Sequence, residues 1–186
     1  MIRKIIAVRD PALRKISKPV KKIDKKIITL ISDMRETLAL QKDPEGVALA
    51  APQVGKNIRL FIINYESFKR IVINPKIIKI EDLPTEKTKT NKKRSKKKRK
   101  ERTQLLEGCL SLPHYYTPID RNRKITVKYQ NEKGAIIKEE FKGFYAQIIQ
   151  HEIDHLNGIV FIDRLLEQKK PLFKFSADSW EEVDLI

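Results

Sequence analysis

A chain of 186 residues, 40% of them hydrophobic, is long enough to bury one substantial core, and its length gives no reason to expect a second. Its formal charge of +16 suggests a nucleic-acid partner until the distribution is read: residues 87–102 hold eleven Lys or Arg against Glu101, a net of +10, leaving +6 for everything else. No apolar run reaches the roughly eighteen residues of a membrane span, charge returns at Arg9 before a signal-peptide core can form, and the lone cysteine, Cys109, excludes an internal disulfide; a cytoplasmic protein without membrane contact is expected.

The first predicted element is a helix from Asp24 to Gln41, with Ile27, Ile31, Met34 and Leu38 at three- and four-residue spacing and Asp24 as its cap. It should stop before Asp43-Pro44, because the residue ahead of a proline is pushed out of helical geometry. After a loop containing Gly46, Ile58–Asn64 and Arg70–Ile80 read as strands, the second interrupted at Asn74-Pro75. From Glu81 to Gln104 the apolar pattern is lost to Lys, Arg and Thr, a composition that cannot bury enough surface to offset ordering, and this stretch reads as a disordered insertion. Lys124–Gln130, the turn Asn131–Gly134 and Ala135–Phe141 form a predicted β-hairpin. A second helix is expected over Tyr145–Asn157, ended by Gly158, with a short strand over Ile159–Ile162.

That second helix carries His151-Glu152-Ile153-Asp154-His155. Histidines four residues apart lie on one helical face and can chelate one cation, while Glu152 sits close enough to exchange a proton with water held there. Ile148 shares the face and sets the site against the core. A catalytic metal usually has three protein ligands and an open position, so a third is needed; Cys109, His114 and Asp163 are the candidates. An internal-cleaving metallopeptidase with Glu167 as third ligand, and a non-enzymatic RNA-binding protein built on the basic run, are the competing readings.

Three segments in order, Gly46-Val47-Ala48-Leu49-Ala50-Ala51-Pro52-Gln53, Glu107-Gly108-Cys109-Leu110-Ser111 and Gln150-His151-Glu152-Ile153-Asp154-His155, resemble peptide deformylase, as do Asp10–Arg14 and Ile73-Asn74-Pro75. The resemblance implies an α+β fold, with antiparallel or mixed sheets packed around a central metal-binding helix and an additional N-terminal helix. It also implies one catalytic domain over residues 1–165, interrupted by 81–104 and followed by a tail at 166–186. Cys109, His151 and His155 are then the ligands of one divalent metal, Fe2+ in the family, with Zn2+, Ni2+ or Co2+ able to replace it. The reaction implied is removal of the formyl group from the N-terminal formylmethionine of nascent polypeptides. Glu152 serves as base and acid, and the Gln53 amide and the Leu110 N–H stabilise the oxyanion. Gly46, Val47 and Ala48 would lie along the substrate. The family pattern has a glycine where this chain has Ala48, which bears on substrate preference. The end of the chain is acidic, so any ribosomal RNA contact falls to the basic insertion; a monomer is expected.

Overall fold

The computed structural model describes residues 1–81 and 105–184. Helix α1 spans Lys25–Ala39; the Asp24 carboxylate accepts the amides of Lys26 and Ile27 and so satisfies two of the donors a helix start leaves open. Its buried stripe of Leu30, Ile31, Met34 and Leu38 packs on Leu49, Leu60, Ile62, Ile71 and Ile73, and the helix closes at Leu40, ahead of Asp43-Pro44 as expected.

Those partners belong to a five-stranded antiparallel sheet of order β1-β2-β3-β6-β7, formed by β1 (Ala48–Ala50), β2 (Leu60–Tyr65), β3 (Phe68–Glu81), β6 (Lys124–Gln130) and β7 (Ile136–Lys142). Side chains alternate across its two faces. Leu60, Ile62, Ile71 and Ile73 face α1; Phe61, Ile63, Val72, Ile125, Val127 and Phe141 form the opposite cluster with Ala146, Ile149, Ile153 and Leu156 of helix α2 (Gly143–Leu156). The interruption expected at Asn74-Pro75 is a register shift inside one continuous strand: Asn74 takes φ 52°, and its amide bonds both the N–H and the carbonyl of Val20 at 2.8 Å.

A second sheet, of order β4-β5-β8-β9, covers the other side of α2 with β4 (Glu107–Cys109), β5 (Leu112–Thr117), β8 (Leu172–Ser176) and β9 (Ser179–Val183). The fold is therefore α+β, with its sheets disposed around α2 as expected. The sequence reading offers no element beyond Ile162, yet β8 and β9 form a hairpin that extends β5 and rests the Trp180 ring on Tyr116 and Phe175, at centroid distances of 5.2 and 4.9 Å. The disorder expected for 81–104 lies outside the described residues, apart from Glu81, which ends β3 in ion pairs with Lys79 and Lys124.

One expected strand is corrected. Ile159 and Val160 are extended but unpaired into a strand, and Phe161 opens helix α3 (Phe161–Gln168). The Asp163 carboxylate accepts the Val160 amide at 2.9 Å, and Phe161 and Leu165, one helical turn apart, fill a cluster with Cys109, Ile119 and Leu172. Four apolar residues in a row do not distinguish a buried strand from the start of a buried helix; Asp163 and the four-residue spacing of Phe161 and Leu165 carry the distinction.

Gly158 ends α2 in the left-handed region, φ 74°, where a Cβ would lie 2.4 Å from the Arg14 carbonyl oxygen. Gly158→Ala is expected to destabilise the protein by about 2–4 kcal/mol, from backbone strain and this collision together. Urea unfolding monitored by circular dichroism checks it, through a lowered midpoint at unchanged slope.

Candidate active site

Helix α2 is not amphipathic in place: every residue from Ala146 to Leu156 is buried, including Gln147, Gln150, His151, Glu152, Asp154 and His155. Polar groups withdrawn from water need partners. Gln150 finds them in the carbonyls of Ala146 and Asn122 and the amide of Asn122. Asp154 is gripped by Arg121, at 2.5 Å, and by both arms of Arg164, at 2.8 and 3.0 Å.

His151 bonds through Nδ1 to Glu107 Oε1 at 2.7 Å, which leaves Nε2 as its free nitrogen. Glu107 in turn receives two bonds from Arg121, at 2.7 and 3.0 Å. Burial alone would raise the Glu107 carboxyl, but His151 and Arg121 outweigh it and hold it down at about 2. The sequence reading did not find Arg121. It sits in Asp120-Arg121-Asn122-Arg123, which looks like solvated loop, and only the fold brings it beneath β4 and α2. The one available sign was indirect: Asp154, charged and inside a helix that must be buried, requires a cation.

Cys109, at the end of β4, brings Sγ to 3.3 Å from His155 Nε2, and one donor atom from each of Cys109, His151 and His155 lies within 4.8 Å of the other two. Burial opposes ionisation of the thiol, yet the two histidines outweigh it and keep Cys109 well below the ordinary thiol range. Burial likewise opposes charge on His151, whereas Glu107 and Cys109 drive its pKa well above the ordinary histidine value. Two imidazoles and an ionisable thiol, gathered and closed off from water, form a three-donor set suited to a divalent metal. The other two nominated ligands stay apart from it. Asp163 is ion-paired with Arg14, and the half-exposed His114, in left-handed backbone geometry, has its Nδ1 3.7 Å from an Asp43 oxygen. Glu167 pairs with Arg164 on the surface, which removes the metallopeptidase reading its ligand.

Cys109 and His151 form one wall of a cavity of about 260 Å³ that Val47, Ala48, Gln53, Leu110, Phe144, Ile148 and Glu152 also line, while His155 touches Cys109 from outside the lining. Gln53 is fixed there: Oε1 accepts the Ala50 amide at 2.8 Å, and the Nε2 amino group is 3.2 Å from Ser111 Oγ and 3.5 Å from Cys109 Sγ. Burial pushes the Glu152 carboxyl up to about 7, against the pull of His151 and His155. Among the described residues Glu152 Oε2 and His155 Nδ1 have no hydrogen-bond partner. Gly46 does not line the cavity; it is buried against the end of α1, where a Cβ would meet Leu38 Cδ1 at 2.7 Å.

Glu107→Ala would leave His151 free to rotate and Arg121 without its main counter-charge. A loss of about 10- to 100-fold in metal affinity is expected, read by competition with a chromophoric chelator, with the three ligand residues intact.

A sequence model of the family described as polypeptide deformylase matches residues 2–171. A peptide deformylase of Thermotoga maritima is 40% identical over 165 residues, covering 89% of this chain and 88% of the relative, and one from Pseudothermotoga lettingae is 36% identical over 170 residues, covering 91% and 86%. The crystal structure of the Thermotoga maritima peptide deformylase superposes with a TM-score of 0.72 over 88% of this chain and 97% of that one, at 40% identity. The family match takes in the five-stranded sheet, β4, β5 and the helix that carries the histidine pair, and the chain belongs to the polypeptide deformylase family.

Proposed function

We propose that this chain hydrolyses the formyl amide at the N-terminus of formylmethionyl nascent peptides, releasing formate and a free amine. The observation that carries the reading is that the donor set of Cys109, His151 and His155 opens, through Cys109 and His151, onto the cavity that Glu152 and the fixed amide of Gln53 line. Cys109, His151 and His155 would hold the divalent metal, iron by family resemblance and zinc, nickel or cobalt by donor type, which when bound acts as a Lewis acid and lowers the pKa of water from about 15.7 toward about 7.

The chain's own residues account for the rest. Glu152 takes a proton from the attacking water and delivers it to the departing amine nitrogen as the formyl carbon–nitrogen bond breaks, so that the water oxygen leaves in formate. The orphaned Oε2 of Glu152, a buried residue on the cavity wall, supports this exchange role over a structural one. Gln53 Nε2 and the Leu110 backbone N–H donate to the oxygen on which negative charge develops. The substrate backbone lies along Val47 and Ala48 beside the edge strand β1, and Gly46, packed closely on the end of α1, positions that segment. Ile148 and Phe144 supply apolar wall for the methionine side chain. No helix among the described residues is long and apolar enough to cross a membrane, and we place the enzyme in the cytoplasm as a monomer, its basic insertion within reach of ribosomal RNA.

Anaerobically metal-loaded protein, incubated with a formyl-Met peptide and with unformylated and internally blocked counterparts, is expected to release formate from the first alone; internal cleavage would overturn the reading. In the same assay Glu152→Ala should keep its metal and lose about 100- to 10,000-fold in turnover. Gln53→Ala should lose about 100- to 1,000-fold.

A further inference from the structure

Residues 15–26 contain Lys15, Lys18, Lys21, Lys22, Lys25 and Lys26 against Asp24 alone; with Lys56 the net is +6, the whole excess of the chain outside residues 87–102. The formal charges of the rest of the chain sum to zero. All seven lysines are exposed, and among the described residues none of their ammonium groups is ion-paired. Asp24 is already committed as the cap of α1.

The fold makes one ridge of them. Ser17 donates its amide to the Leu156 carbonyl at the end of α2, Lys18 exchanges backbone bonds with Asn57 and Arg59 beside Lys56, and Val20 is tied to Asn74 before the chain enters α1. Lys25, Lys26 and Lys56 then wall a concavity of about 650 Å³ with Arg3, Thr29 and Asn57, and no carboxylate lines it. Like charges held this closely repel one another, and a polyanion that neutralises them gains from releasing its own counterions.

We propose that this lysine ridge binds the phosphodiester backbone of RNA. The concavity favours RNA over an anionic bilayer, because one phosphate backbone of an RNA can follow a recess that a plane of headgroups cannot enter. Position allows it too: the ridge adjoins Leu156 at the C-terminal end of α2, about 6 Å along the helix beyond Glu152, and none of its lysines lines the cavity, so RNA on the ridge leaves the cavity open. Binding of this kind is insensitive to sequence and weakens steeply with salt.

The test uses the full chain, insertion included, and a labelled RNA hairpin with an A-form stem, followed by fluorescence anisotropy from about 50 to about 200 mM salt. Lys18→Glu/Lys25→Glu/Lys26→Glu/Lys56→Glu is expected to weaken binding at least about tenfold at the low-salt end and to flatten the slope of log K against log salt by about 3. Turnover of a short formyl-Met peptide should be unchanged, which separates failure of this inference from failure of the catalytic reading. Lys25→Glu/Lys56→Glu, a milder change, should give about half the slope effect and covers the case in which the fourfold variant does not fold. No RNA binding by the wild type, wild-type affinity and slope in both variants, or tighter binding of the wild type to phosphatidylserine vesicles than to the hairpin would each overturn it.

Discussion

The 2.7 Å bond between the Glu107 carboxylate and His151 Nδ1 exists because α2 carries six polar side chains through the middle of the molecule. Withdrawing an unpaired charge from water costs several kcal/mol, so the surrounding elements are obliged to bring counter-charges to that helix. Arg164 from α3 and Arg121 from the loop after β5 meet at Asp154; Arg121 reaches on to Glu107, and Glu107 to His151. The alternation of sign along this chain lets each member be charged while buried, and its last link fixes which nitrogen His151 presents to the cluster. Stability and site geometry therefore rest on the same contacts.

Two polar groups stand outside that satisfied network, Glu152 Oε2 and His155 Nδ1. Gln150 and Asp154, in the same helix, are bonded to Asn122, Arg121 and Arg164, so the gap falls on the residues around the donor cluster. A carboxyl in this position is held by burial near neutrality between its two protonation states, whereas Glu107, one element away, is pinned in the charged form by Arg121 and His151. Two glutamates of the same intrinsic acidity are thus separated by environment into a carboxyl held near neutrality and a fixed anion, the kind of separation on which acid and base roles are built.

The legible part of this arrangement was the part written in local patterns. Helix α1 is legible through Asp24 and the spacing from Ile27 to Leu38, the β6-β7 hairpin through its turn, and the histidine pair through its four-residue spacing. Cys109 is 42 residues before His151, with no periodic relation to it, and joins the cluster only once β4 is laid against α2; its residue type makes it one candidate beside His114 and Asp163, and only the motif resemblance singles it out. Arg121 had not even that help, since a loop arginine becomes a buried counter-ion through tertiary placement alone. The Ile159–Ile162 run misled because its β-branched residues match a strand while Asp163, just beyond it, is the helix signal that prevails. The hairpin β8-β9 escaped notice for the opposite reason: Lys174, Glu181 and Glu182 dilute its apolar pattern, and its order comes from pairing with β5 and from the Tyr116–Trp180 contact.

Ala48, the departure from the family pattern, is explained by its place in β1. Its partner across the ladder is Ile63, its backbone is not in the left-handed region that would demand glycine, and its methyl group joins the cluster of Phe61, Ile63, Val72 and Ile148. The methyl is thus held by the core at the same time as it narrows the cavity by one carbon. A change so placed leaves the distances among Cys109, His151, His155 and Glu152 to α2 and β4, elements it does not support through the Arg121 network. What it adjusts is the clearance beside the edge strand β1, on the side of the cavity that faces Glu152.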